Sequence, residues 1–163
     1  MSDAKIEYNN QCFWIDEHFI ELLSQYICET FEDIGLSTFN SVLSNIYFNC
    51  DFNKSGEAMQ MVDIDLDKIN TQTDNSILIS VFQQTKTRIL ALGTELSISQ
   101  LNAFENNKTN ALYKLPWDFP VKTQSLATTL DYIIDLLNGT FQYNNYGIQY
   151  INFPNNSGDY LMI

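Results

Sequence analysis

Apolar residues recur every three or four positions between residues 17 and 34, which is the spacing of one buried helical face. The face consists of Phe19, Ile20, Leu23, Tyr26, Ile27, Phe31 and Ile34. Asp16 precedes this stretch as a candidate N-cap, and Gly35 follows it where helices often end in a left-handed residue. The pattern predicts an α-helix over residues 17–34.

The next stretch changes from a helical to an alternating pattern. Residues 38–47 fit a second helix, but apolar and polar side chains alternate over 46–52 and again over 58–66, as in strands with one buried face. Residues 53–56, Asn-Lys-Ser-Gly, have the composition of a turn. The sequence therefore predicts that a short helix gives way near Ser44 to a β-hairpin of strands 46–52 and 58–66.

The pattern of residues 76–92 fits two structures. After a polar loop over 67–75, two short apolar runs, 77–82 and 87–92, are separated by four polar residues. The runs fit either two antiparallel strands or one continuous helix. Their Ile and Val content and the stop at Gly93 favour strands.

The second half of the chain contains one clear helix and several shorter elements. A helix is predicted over 124–138, where apolar residues form one stripe before Gly139, and a shorter helix over 97–106. Two prolines mark residues 107–123 as a loop with aromatic anchors. Weak alternation over 141–153 predicts a further hairpin.

These elements predict an α+β fold in which an antiparallel sheet or meander packs against several α-helices. A length of 163 residues is typical of one domain, so residues 1–163 are predicted to form a single domain. Hydrophobic residues make up 45% of the chain, which is enough to fill a core and argues against disorder.

Acidic residues are concentrated in the first 75 positions. This stretch holds 14 Asp and Glu against three Lys, a net charge of −11, whereas the remaining 88 residues carry −1 of the total −12. Because phosphate binding needs Lys and Arg, we expect no direct nucleic-acid partner. The same field would accelerate association with a basic protein. The charge thus predicts a cationic protein partner, with solubility alone as the open alternative.

Several patterns bear on the compartment. The three cysteines form no CxxC pair and fit a reducing environment. The first ten residues show neither the basic nor the apolar segment of a secretory signal, and no apolar run approaches the ~18 residues of a membrane span. We therefore expect a cytoplasmic protein that does not bind membranes.

Three aspartates alternate at the end of the predicted hairpin. Asp63, Asp65 and Asp67 would lie about 6.6 Å apart on one side of a strand. They could form an acidic ridge that contacts Lys and Arg of a partner, a solvated strand face that discourages aggregation, or a set of metal ligands. The first two interpretations are favoured over the third.

Candidate catalytic and metal-binding residues are few. Residues 51–56, Asp-Phe-Asn-Lys-Ser-Gly, resemble the first half of an EF-hand loop, but Val62 stands where that loop has its bidentate Glu, so we interpret them as a turn. His18 is the single histidine, and no known catalytic motif includes it. We predict that the chain is not an enzyme and uses no metal or cofactor.

Tyrosines are concentrated near the C-terminus. Tyr143, Tyr146, Tyr150 and Tyr160 lie among Asn and Gly residues, a composition that many binding surfaces share. The alternative is an amphipathic hairpin whose rings cover the core.

In overall character, small, strongly acidic, aromatic-rich and without catalytic motifs, the chain resembles the bacterial immunity proteins of toxin–immunity pairs, such as those of contact-dependent growth inhibition. The resemblance implies a cognate basic toxin domain, commonly a nuclease, which the acidic protein binds and neutralises as an antitoxin. The candidate partner contacts are Glu21, Glu32 and Asp33 on the outer face of the first helix, together with Glu29, Asp63, Asp65, Asp67, Tyr143 and Tyr146.

Three other functions stay open. A phage-type inhibitor that mimics nucleic acid would also be acidic, and DNA or RNA would compete with it for its target. A small enzyme would need a deep pocket with convergent polar groups near His18 or near an Asp/Glu pair. An adaptor or structural domain would have no specific use for its charge.

Overall fold

Five α-helices build most of the structure that the computed structural model describes, which covers residues 3–58, 61–142, 150–152 and 160–162. The helices are α1 (Glu17–Ile34), α2 (Ser41–Lys54), α3 (Gln72–Ala91), α4 (Ile98–Asn107) and α5 (Thr123–Asn138). Three 3-10 turns lie in the connections, at Leu36–Thr38, Leu66–Lys68 and Ala111–Tyr113. Within the described stretches, every helix is too short or too polar to cross a membrane.

Short strands complete the fold. They are β1 (Asp3–Tyr8), β2 (Gln11–Asp16), β3 (Glu95–Leu96), β4 (Val121–Lys122), β5 (Tyr150–Asn152) and β6 (Tyr160–Met162). The larger sheet has the order β1-β2-β5-β6 and is antiparallel except for the parallel β2–β5 pair, while β3 and β4 form a separate antiparallel pair. The predicted α+β fold is confirmed.

The β1–β2 hairpin was not among the predicted elements. Asn9 and Asn10 form its two-residue turn with positive φ angles of 50° and 63°, as hairpin turns of this length require. The flanking residues alternate, and those that face the core are Ala4, Ile6, Tyr8, Phe13 and Ile15. An Asn-Asn pair between two alternating stretches is a signal that could have predicted this hairpin.

The helices predicted from strong periodicity are confirmed. α1 begins after Asp16, whose Oδ1 accepts a hydrogen bond from the backbone N–H of His18 at 2.9 Å. It ends at Gly35 with φ of 103°, and α5 ends at Gly139 with φ of 69°. The short helix predicted over residues 97–106 is also present, as α4.

The predicted hairpin of strands 46–52 and 58–66 is wrong. Residues 41–54 form one helix, α2, whose buried residues Leu43, Ile46, Cys50 and Asn53 follow helical spacing. The apparent alternation arose because Phe48 and Phe52, taken as core residues, lie on the exposed side of this helix. Residues 61–65 are irregular, although Val62, Ile64 and Leu66 are buried in the alternation expected.

Residues 76–91 are helical and only Leu92 lies beyond the helix end, so the preference for two strands is wrong. They belong to α3, whose buried residues Leu78, Val81, Phe82, Thr85 and Ile89 recur every three or four positions. Thr71 caps the helix by accepting a hydrogen bond from the N–H of Asp74 at 3.0 Å. Helical spacing of the buried side chains therefore outweighs the strand propensity of Ile and Val.

One hydrophobic cluster joins the elements. It includes residues of all five helices and of the β1–β2 hairpin, and its largest fully buried side chains are Phe13, Phe31 and Phe82. α1 packs against α2, α3 and the hairpin, and α5 packs against α3 and β1. α4 has the least contact with the other helices, so its position depends on its contacts with other parts of the chain.

We expect Asn40→Ala to lower the free energy of unfolding more than Ser97→Ala does. Both residues cap a helix, which is worth about 1 kcal/mol, but Asn40 Nδ2 also donates to the buried carboxylate of Asp74 at 2.6 Å. The predicted losses in urea denaturation are about 2 and about 1 kcal/mol. Equal losses would show that the Asn40–Asp74 bond contributes nothing.

Candidate functional site

An open groove of about 870 Å³ is lined by α1, α2, α4 and residues next to them. This aromatic groove is defined by Tyr26, Glu29, Phe48, Asp51, Phe52, Ala103 and Phe104. α1 packs against α2, and α4 supplies the remaining wall.

Two phenylalanines make this groove a candidate binding site. Phe48 and Phe52 lie one turn apart on α2, and they are 61% and 47% exposed. Large exposed aromatic side chains next to a concavity are typical of protein-binding surfaces, because covering them removes apolar area from water. Their exposure was not expected from the sequence, because the alternating pattern over 46–52 placed both on the buried face of a strand.

Carboxylates line the same groove as the two rings. Glu29, Asp51 and Glu57 line the groove together with one cation, Lys54. Lys54 Nζ lies 2.9 Å from Asp51 Oδ1 and 3.9 Å from Glu32 Oε1, so it is shared between two acids. The lining thus carries a net charge of −2, and the predicted contacts Glu29 and Glu32 lie in or beside it.

Part of the acidity of α1 is neutralised within the fold. Arg88 of α3 pairs with Glu29 at 3.3 Å and with Asp33 at closer range. The side chain of Asp33 is nevertheless 69% exposed. Asp33 is therefore accessible to a partner, whereas Glu29 is half-buried and already has two protein partners, Arg88 and Gln25.

The prediction that Glu21 faces outward is wrong. Its carboxylate is buried, and its Oε2 accepts a hydrogen bond from Lys108 Nζ at 2.7 Å. The same ammonium lies 2.9 Å from Glu105 Oε2. The end of α4 and the loop after it cover this side of α1, so Glu21 belongs to a buried ion cluster of Glu21, Glu105 and Lys108.

The two carboxylates of the ion cluster differ in their surroundings. Glu105 also accepts hydrogen bonds from Trp117 Nε1 at 3.0 Å and from the N–H of Leu115 at 3.2 Å. Glu21 accepts its hydrogen bond from Lys108, and burial raises the pKa of Glu21 in spite of that bond. The cluster therefore holds Glu105 by several donors.

Gly56 makes room for the ion cluster. Its φ is +75°, and a Cβ on this residue would lie 3.3 Å from Lys108 Cδ. A glycine is required here by both the backbone conformation and the close approach of the lysine.

The predicted acidic ridge lies in a second concavity. Asp63, Asp65 and Asp67 line an acidic cleft of about 390 Å³, whose other charged residues are Asp3, Glu7 and Lys5 of β1. The ridge is not a strand face, since Asp65 has a left-handed conformation with φ of 63°. Asp63 is partly withdrawn from solvent, and burial raises its pKa. The structure thus brings five carboxylates and one ammonium to this cleft.

His18 lines a smaller pocket of about 280 Å³ with Asp16, Phe19, Trp117 and Phe119. Its Nδ1 lies 2.8 Å from Asp16 Oδ1, and this hydrogen bond raises the pKa of His18. The lining contains no Ser, Thr or Cys that could act as a nucleophile.

The residues that resemble an EF-hand loop do not have the conformation of such a loop. The residues that resemble an EF-hand lie mainly in α2, where Asn53 is buried and donates to the carbonyl of Asp63 at 2.8 Å. Among the described residues, no three His, Cys, Asp or Glu side chains are placed to hold a metal ion. Tyr143 and Tyr146, with the turn of the predicted C-terminal hairpin, lie outside the described residues.

We expect Glu21→Gln to become more stable relative to the wild type as pH rises above about 4.5. Because the folded-state pKa of Glu21 is raised above this ordinary value, the folded state binds more protons than the unfolded state in the window between the two, and stability falls as pH rises through it. The amide removes this titration. Urea unfolding across this pH range measures the difference, with the exposed Glu95→Gln as the control. A difference that does not change with pH would contradict the raised pKa.

No protein-family model matches this chain, and no curated protein or solved structure matches it significantly.

Proposed function

We propose that this protein binds and neutralises a basic protein, in the manner of an immunity protein that inhibits a cognate toxin domain such as a nuclease. The observation that carries the proposal is the aromatic groove, where two exposed phenylalanines lie among carboxylates. A concave surface with aromatic anchors and an acidic edge fits a partner that presents apolar side chains surrounded by Lys and Arg.

The two kinds of side chain have different roles in such a complex. Covering a ring that is about half exposed contributes on the order of 1 kcal/mol, and more where the ring fills a pocket of the partner. The carboxylates and the net charge of −12 accelerate encounter and select a basic partner. The phenylalanines therefore account for slow dissociation, and the acids for fast association.

A nuclease is a suitable class of partner. Its substrate-binding surface needs positive charge to hold phosphate, so an acidic protein can cover that surface or an adjacent one. The acidic cleft lies close to the groove, because Met61 of the cleft comes four positions after Glu57 of the groove, which limits their Cα–Cα distance to about 14 Å. One partner of ordinary interface size can contact both concavities.

The acidic cleft favours one alternative, a protein that mimics nucleic acid and blocks a DNA- or RNA-binding protein. Its five carboxylates would stand for phosphates. Nucleic acid would then compete with this chain for the target, whereas a toxin held outside its substrate site would show no competition.

The double variant Phe48→Ala/Phe52→Ala should lose affinity for the partner that the immobilised wild-type chain captures from its native cells. We expect the dissociation constant to rise by about 30-fold or more, mainly through faster dissociation, since two aromatic anchors are removed. Leu112→Ala is the matched control, because Leu112 is 86% exposed and lies outside the groove. Equal affinity of the double variant and the wild type would exclude the groove as the binding surface.

A further inference from the structure

The regular secondary structure that lines the aromatic groove is entirely helical. Phe48 and Phe52 project from α2 at a spacing of four residues. On α4, the lining residues are Gln100, Ala103, Phe104 and Asn107, which recur every three or four positions. The opposite side of α4 carries Leu101 and Glu105, which are buried. α4 thus presents one side to the core and another to the groove.

This construction bears on what backbone conformation a bound segment can adopt. Apart from their terminal turns, the backbone N–H and C=O groups of α2 and α4 are hydrogen-bonded within their own helices, so these two helices present no strand edge with which an extended segment could pair. A helix satisfies its own backbone groups and needs only side-chain contacts. The groove therefore favours a helical occupant over an extended one.

The size of the groove is consistent with such an occupant. A helix about 10 Å across that rises 1.5 Å per residue fills roughly 120 Å³ per residue. A volume of about 870 Å³ then holds about seven residues, or two turns. α4, with ten residues, is about 15 Å long and spans that length.

The chemistry of the lining specifies the faces of the helix. Tyr26, Phe48, Phe52 and Phe104 offer apolar contacts, and Glu29, Asp51 and Glu57 outnumber the single lysine of the lining. We propose that the aromatic groove binds about two turns of an amphipathic α-helix of the partner, with an apolar stripe against the phenylalanines and Lys or Arg along its edges. This inference rests on the proposed function, for which it names the recognised element.

Two synthetic peptides of 14 residues test the proposal. Both contain the same numbers of Leu and Lys, but in one the Leu residues recur every three or four positions, and in the other Leu and Lys alternate, which favours a strand. Fluorescence anisotropy at physiological salt measures binding, and circular dichroism measures the helicity gained. We expect the helical-pattern peptide to bind at least tenfold more tightly and to gain helicity on binding.

Variants of the chain assign the binding to the groove. Phe48→Ala/Phe52→Ala should weaken binding of the helical-pattern peptide at least tenfold, and Ala103→Trp, at an exposed position of α4, should obstruct it sterically. Leu112→Ala and Glu95→Gln should leave it unchanged, and the thermal transition of each variant reports that the fold is kept.

The outcomes separate this inference from the proposed function. If both peptides bind equally and the groove variants weaken both, the proposal of a helical occupant is wrong. The groove then remains a site for basic segments. Binding that the groove variants do not change would overturn both proposals for this surface. No binding of either peptide would overturn the helical occupant alone, because the proposed function is tested with the captured partner.

Discussion

The position of one wall of the aromatic groove depends on a single buried ammonium group. Lys108 has no exposed side-chain area and lies within 3 Å of two carboxylates, Glu21 of α1 and Glu105 of α4. Removing either partner from such a buried pair typically costs several kcal/mol, because a charge is left without compensation. The ion cluster therefore links the end of α4 to α1. Apart from this link, α4 makes few contacts with the other helices. Since α4 supplies one wall of the aromatic groove, the candidate binding surface depends on an interaction that lies beneath it.

The acidic residues of the first half of the chain serve different purposes once the chain is folded. Glu21 and Asp74 are buried and hydrogen-bonded, and they stabilise the packing of helices. Other acids remain at the surface and gather in two places, around the aromatic groove and in the acidic cleft. Part of the acidic charge in the first half of the sequence therefore has a structural role. What remains for recognition is a smaller set of carboxylates placed beside exposed aromatic rings, which is a more specific signal than net charge.

The sequence predicted the elements whose buried face follows a single strong period. α1 and α5 have continuous apolar stripes and glycine ends, and both were predicted within one or two residues. The later part of α2 was missed because Phe48 and Phe52 break the rule that large apolar residues are buried, and both residues line the groove. Lys108 could not be identified, since its two partners lie 87 and 3 residues away and nothing local distinguishes it from a solvated lysine. The sequence therefore predicted a binding function but could not place the candidate surface for it.

The most direct test of this account is backbone hydrogen exchange of the chain alone and in complex with the basic partner that it captures. Residues 48–57 and 100–109 should exchange more slowly in the complex, because the partner covers the aromatic groove that these segments line. Unchanged exchange in both segments, with protection confined to residues 115–119 of the His18 pocket or to the α5 helix, would contradict it.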